Sequence, residues 1–307
     1  MTDRLTAHLT KEGQHLAKMP TIQVLSPLVT RILAGNPGAY TLQGTNTYLI
    51  GSGPRRLLLD AGDGVEEYAT TLKDAMRQVR CSALEGIVIS HWHHDHLNGV
   101  GQVQSAVGPG IPVYKFMPDQ DEEPYGGEGN KAVSEMWPRD QFTPLRHGSV
   151  LNTQGATLVA HYAPGHANDL CVFMLVEENN MFSSDNVLGQ GTGVARDLNL
   201  YLQSLDLMAA LKPRFLYPGH GPVVEDGLVL IDEYKTHRLK RVEQVRAAIV
   251  KHAPQSLGLE ELCDAVYPEL PDLLRGPAMF NLLLALQVLE AKGACVRDAK
   301  GWRASKL

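Results

Sequence analysis

Along the first two-thirds of the chain, short apolar runs alternate with polar, glycine-rich connections. Residues 28–33 and 46–50 are strand-like, and Gly35-Asn36-Pro37-Gly38 separates them. After the turn Gly51-Ser52-Gly53-Pro54, residues 56–60 return, which predicts a hairpin. The loop 41–44 then falls at the opposite end, where it could overhang a site. Residues 66–80 carry helical spacing through Tyr68, Leu72 and Met76. Residues 84–89 are too short for a helix and end β-branched, so a buried strand is expected. A helix should begin within 97–106. Residues 111–114 form a short strand whose Pro112 suggests an edge position. Residues 117–131, acidic and rich in glycine, predict a surface loop, and 142–149 a further connection. Strands follow at 156–162, 170–176 and 180–183, then a helix at 200–211 and a short strand at 215–217.

From Ile231 the texture changes. Residues 231–252 read as a long, basic, amphipathic helix, and 259–266 and 277–291 as two more. Cys295-Val296-Arg297 and Gly301-Trp302-Arg303 read as a hairpin, so helices and hairpin together suggest a winged-helix-like unit. Two domains are therefore expected, 1–230 and 231–307. The formal net charge of −6 is unevenly spread: from Lys235 onward twelve Lys/Arg face eight Asp/Glu, a local +4 that leaves −10 for the remainder. Such a basic tail could meet an anionic partner. The four cysteines lie far apart with no zinc-ligand spacing, which predicts free thiols in a reducing compartment. No secretory signal opens the chain, and no run suffices for a membrane helix. The final Ser305-Lys306-Leu307 matches a peroxisomal address, so an intracellular protein is expected, peroxisomal if that address is read and otherwise cytoplasmic.

The chemistry concentrates in Ser90-His91-Trp92-His93-His94-Asp95-His96, which packs four histidines into six consecutive positions behind a strand. Imidazoles and a carboxylate at that density suit a divalent metal such as zinc. His166, Asp185 and His220 each follow a short apolar strand as well, and Pro-Gly precedes both His166 and His220. Ligands on loops at strand ends are how a rigid sheet positions a site. Asp60 closes a further apolar strand. It is either a helix cap or a partner of a metal-bound histidine, and the second role is the better expectation.

The order His91-x-His93-x-Asp95-His96, then His166, Asp185 and His220, resembles the metallo-β-lactamase superfamily. That resemblance implies an α/β fold, a four-layer αββα sandwich, and two Zn2+ per chain. It places His91, His93 and His166 on one metal, Asp95, His96 and His220 on the second, and Asp185 between them; His94 and His161 fall outside the pattern. A bridging carboxylate at Asp185 points to the glyoxalase-II-like hydrolases and nucleases rather than true lactamases. Gly35-Asn36-Pro37-Gly38, the stretch Thr41-Leu42-Gln43-Gly44-Thr45-Asn46-Thr47-Tyr48 and Tyr217-Pro218-Gly219-His220-Gly221-Pro222 are further similar to the β-lactamase-like protein 2 group. That group includes fungal thioesterases that release polyketides from acyl carrier proteins. One departure stands out: Ser184 occupies the position before Asp185 where the family usually has Gly.

What the resemblance implies is a hydrolase whose two metals share a hydroxide, a nucleophile available at neutral pH. The leading expectation is cleavage of an acyl thioester on an acyl carrier protein or coenzyme A, with Asp95 also assisting proton movement. A metal-dependent single-strand endoribonuclease is the alternative, with RNA as partner. A non-catalytic binding module would require lost ligands, and none is lost.

Overall fold

The computed structural model describes residues 16–117 and 137–305. Most of the acidic stretch 117–131, and Lys306 and Leu307 of the terminal tripeptide, lie outside the described residues. The first sheet has seven strands in chain order: β1 (Ile22–Val24), β2 (Val29–Leu33), β3 (Asn46–Ile50), β4 (Arg55–Leu59), β5 (Ala83–Ile89), β6 (Val113–Phe116) and β7 (Thr143–Leu145). From β1 to β4 the pairs are antiparallel, and from β4 to β7 parallel. Parallel neighbours need crossovers. Helix α1 (Glu66–Gln78) supplies the one from β4 to β5, and α2 (His94–Leu97) with α3 (Val100–Val107) the next. The second sheet takes the order β12-β11-β10-β9-β8, built from β8 (Val150–Thr153), β9 (Ala156–Tyr162), β10 (Cys171–Leu175), β11 (Asn180–Ser184) and β12 (Leu216–Pro218). Helix α4 (Leu198–Ala210) crosses from β11 to its parallel neighbour β12.

Successive side chains of a strand point to opposite faces, so a strand buried on both sides feeds two apolar layers. Strand β10 does this: Cys171, Phe173 and Leu175 meet Tyr48, Leu57 and Leu59 of the first sheet, while Val172 and Met174 face α4. On the other side Leu49, Leu58 and Ile87 pack beneath Tyr68 and Leu72 of α1 and Val103 of α3. The result is the expected α/β/β/α stack. The apolar layer under the second sheet continues without a break into α5 (Gly227–Lys251) and α7 (Asp272–Ala291), through Ile231, Val245, Leu282 and Leu286. Helix α6 (Leu259–Val266) and the hairpin β13 (Cys295–Asp298) and β14 (Gly301–Ala304) complete the chain, with Leu257 and Trp302 exchanging backbone hydrogen bonds.

Four local expectations are corrected. Strand β6 is interior, because β7 pairs with it within the stretch read as a plain connection. Pro112 lies just before the strand, so it removes no ladder hydrogen bond, and its carbonyl accepts from Ile87 N at 2.9 Å. Helix formation after β5 starts at His94, inside the histidine cluster. Helix α7 begins at Asp272, with Pro277 inside it. All four cysteines are free and buried, and no helix among the described residues is long and apolar enough to cross a membrane.

Candidate metal centre

The ends of β4, β5, β11 and β12 and the loop after β9 converge at one edge of the sandwich. There the side chains form two groups whose ligand atoms lie within 4.8 Å of one another: His91, His93, His166 and Asp185, and Asp95, His96 and His220. In the first, His91 Nε2 is 2.8 Å and His166 Nε2 3.0 Å from His93 Nδ1. In the second, Asp95 Oδ2 lies 3.3 Å from His96 Nε2 and 3.2 Å from His220 Nε2. Asp185 spans both, its Oδ2 3.5 Å from His166 Nε2 and 3.3 Å from His220 Nε2, its Oδ1 3.4 Å from His96 Nε2. All seven residues named from the sequence are therefore brought together. His94 is exposed and pairs with Asp63 at 3.2 Å, and His161 stacks edge-on against His147; both stand outside.

Outside this ring of seven, other groups fix which nitrogen of His91, His96 and His166 faces inward. A backbone carbonyl can only accept, so His166 Nδ1 donates to Val194 O at 2.7 Å and turns Nε2 to the centre. Asp60 accepts from His96 Nδ1 at 2.8 Å and from Ser90 N and Oγ at 2.8 and 2.9 Å. Ser90 Oγ also lies 3.0 Å from His91 Nδ1. One carboxylate thus orients a histidine in each group, directly for His96 and through Ser90 for His91. The alternative of Asp60 as a helix cap is excluded, since α1 starts after Val65 without a side-chain cap.

Several contributors had no role assigned from the sequence. Thr45, at the end of the overhanging loop, donates to Asp95 Oδ2 at 2.9 Å and is itself held by Asn36 on both its N–H and its hydroxyl. Asn46 donates to Pro218 O and Gly221 O, clamping the turn that carries His220. Ser184 has φ +48, the left-handed region that favours glycine, which explains why Gly is usual there. In return its hydroxyl donates to Ser90 Oγ at 2.9 Å.

The electrostatics split the centre in two. Burial and neighbouring imidazoles hold His91 well below the usual histidine range, and burial with His166 pushes His93 down to about 2. Burial also lowers His166. In the other half burial opposes the shift and loses: Asp185 and Asp95 push His220 up to about 9, and Asp95, Asp185 and Asp60 raise His96. Asp185 and Asp95 go the other way. Burial would raise them, but His220 and His96 hold both far below the usual carboxylate range. A divalent cation fits this donor set, since neutral imidazoles and ionised carboxylates are its ligands. The buried His96 Nε2 and Asp185 Oδ1 have no hydrogen-bond partner among the described residues, and buried polar atoms left so are rare. The absence of a side chain at Gly219 keeps the space open, because a Cβ there would collide with Asp185 Oδ1.

Residues 40–220 match the family described as the metallo-beta-lactamase superfamily. The chain belongs to this superfamily. It is 37% identical over 285 residues to a beta-lactamase-like protein 2 homolog of Drosophila melanogaster, spanning 91% of this chain and 93% of that one. A lactamase-like protein nscB of Neosartorya fischeri is 35% identical over 90% of this chain and 82% of its own. Among solved structures, a beta-lactamase domain protein from Burkholderia ambifaria superposes with a TM-score of 0.74 at 17% identity, covering 93% of both chains, a likeness of fold. As a member of the metallo-β-lactamase superfamily the protein is a metal-dependent hydrolase.

Proposed function

We propose that the protein hydrolyses an acyl thioester, carried by an acyl carrier protein or coenzyme A, at a centre of two zinc ions. His91, His93 and His166 would hold one ion, Asp95, His96 and His220 the other, and Asp185 both. Metal ions bound there lower the pKa of coordinated water to about 7 and polarise a carbonyl oxygen. In the overall reaction the oxygen of water joins the acyl carbon, the C–S bond breaks, and a carboxylate, a thiolate and protons result. Asp95, steadied by Thr45, assists the movement of the water's proton toward solvent.

The observation that carries this reading is the commitment of every described hydroxyl at the centre. Thr45 donates to Asp95, Ser90 to Asp60 and Ser184 to Ser90. The raised His96 and His220 face carboxylates. Among the described residues no hydroxyl at the centre is left to protonate a departing group, so a group that leaves as an anion is favoured, and a thiol with pKa of about 8.5 does so readily. The resemblance to polyketide-releasing thioesterases supports the same class. RNA finds less support. Several basic residues of the C-terminal part are engaged internally: Lys235 with Asp206, Arg246 with Glu243, Arg275 with Glu260 and Asp264. Zinc-loaded protein assayed in parallel on acyl thioesters and on labelled single-stranded RNA, with Asp185→Ala as control, tests the proposal. Thioester cleavage abolished in the variant is expected; cleavage of RNA alone would overturn it.

A further inference from the structure

A cavity of about 170 Å³ opens beside the metal centre, lined by Trp92, Gly165, Ala167, Arg196 and Leu200 among others. Its walls are the residues that flank the candidate ligands. Trp92 sits between His91 and His93, and its ring lies 4.5 Å from the His93 imidazole. Gly165 and Ala167 stand on either side of His166. The far wall is the segment entering α4, whose Val194 O orients His166 and whose Arg196 N donates to Gly165 O at 2.6 Å. Arg196 lays its guanidinium over the Trp92 ring, 5.2 Å from ring centre, and the apolar Leu200 is 38% exposed at the opening. The cavity surface is therefore mainly apolar, although Asn168, Arg196 and Asp197 also line it, and it is tied to His166 and open to solvent.

We infer that this cavity is the specificity subsite of the enzyme and receives one aromatic ring or a short acyl chain of the substrate. The size argument is direct: an engineered apolar cavity of about 150 Å³ holds benzene, so this one takes about six carbons. Position supplies the rest, because a group seated against Trp92 leaves the attached carbonyl within reach of His93 and His166. An occupant longer than the cavity must turn out past Leu200 and gains less. A small acetyl group leaves the cavity unfilled. The identification of the occupant as an acyl group rests on the thioester reading; the existence of the subsite does not.

Two measurements separate these claims. One is kcat/KM of the zinc-loaded enzyme on acetyl-, hexanoyl-, benzoyl- and tetradecanoyl-coenzyme A. The other is saturation-transfer NMR with benzamide and hexanamide, neutral probes that need no turnover. Hexanoyl or benzoyl substrates should exceed acetyl and tetradecanoyl by at least about tenfold, the scale of discrimination expected of an apolar pocket. Leu200→Trp, a change on the exposed start of α4 whose folding is checked by circular dichroism, should cut the hexanoyl-to-acetyl ratio about tenfold and abolish amide binding. Amide binding that is lost in Leu200→Trp, with no thioester cleaved, would support the subsite and sink the thioester reading. Absence of amide binding, or an acyl-length profile identical in wild type and Leu200→Trp, would overturn the subsite.

Discussion

Asp60 shows how much of the centre depends on atoms that touch no metal ligand position of their own. Its two oxygens accept three hydrogen bonds, and it holds φ +60, a conformation Asn also tolerates. Asp60→Asn therefore keeps the backbone while placing an N–H where His96 Nδ1–H must donate. His96 would be driven to the opposite tautomer, with its proton facing inward. Zinc affinity should fall roughly 10- to 100-fold with the fold intact, as titration against a competing chelator would show; unchanged affinity would remove Asp60 from the centre. The raised His220 makes a second prediction. Protonation of His220 stabilises the metal-free folded state, and that contribution is complete below about pH 6.5 and lost as pH rises through about 9. Chelated protein should thus lose at most a few kcal/mol across that interval, whereas zinc-loaded protein, whose His220 has already surrendered its proton, should not. Urea midpoints of both forms against pH test this. Below pH 6.5 the lowered His91 and His93 act oppositely, because the unfolded chain binds protons they refuse.

At the scale of elements, what aligns the histidine cluster with the loop carrying His166 is a buried ion pair. Lys115 on β6 bonds Asp169, both fully buried, and Asp169 Oδ1 accepts from Trp92 N at 3.4 Å. The pair ties the first sheet to both halves of the first ligand group. Lys115→Met leaves a buried carboxylate without its cation and should cost about 3–5 kcal/mol, whereas Lys115→Met combined with Asp169→Leu should recover much of that loss. Equilibrium denaturation distinguishes the two; equal losses would mean that Asp169 acts chiefly through Trp92. The turn carrying His220 is equally constrained. Gly219→Ala should lower zinc content by forcing Asp185 aside, with little change elsewhere in the fold.

For the whole molecule, the centre joins two sheets that otherwise meet through an apolar layer and a few polar links such as Tyr48 to Pro218 and Ser184 to Ser90. Ligands come from the first sheet (His91, His93, Asp95, His96) and from the second (His166, Asp185, His220), so a bound metal cross-links the sandwich. Chelation should lower the melting temperature, since anything that binds only the folded state stabilises it. Elemental analysis should find two zinc ions per chain in wild type, about one in His220→Ala, and less than one in Asp185→Ala, which serves both groups. Two ions in every variant would overturn the ligand assignment.

The sequence by itself determined the strand-and-loop rhythm and placed all seven clustered residues at strand ends; the layer arrangement, and the exclusion of His94, were what the family resemblance implied. The reason is that metal ligands require particular side chains, and seven of them at strand ends leave a readable pattern. Asp60 was legible for the same reason, as a carboxylate closing an apolar strand. What only the tertiary structure decided are contacts whose partners are far apart in the chain and chemically ordinary: Thr45 on Asp95, Asn46 on the His220 turn, Lys115 on Asp169, and the partner Ser90 of a Ser184 that the sequence marked only as a departure from Gly. Serine, threonine and asparagine are common in loops, so nothing in their identity or spacing marks the few that orient a ligand. The interior place of β6 was likewise invisible, because it depends on β7 arriving from residues with no strand signal. The cavity beside Trp92 belongs to the same class: its walls come from segments about seventy and a hundred residues apart, and their convergence exists only in three dimensions.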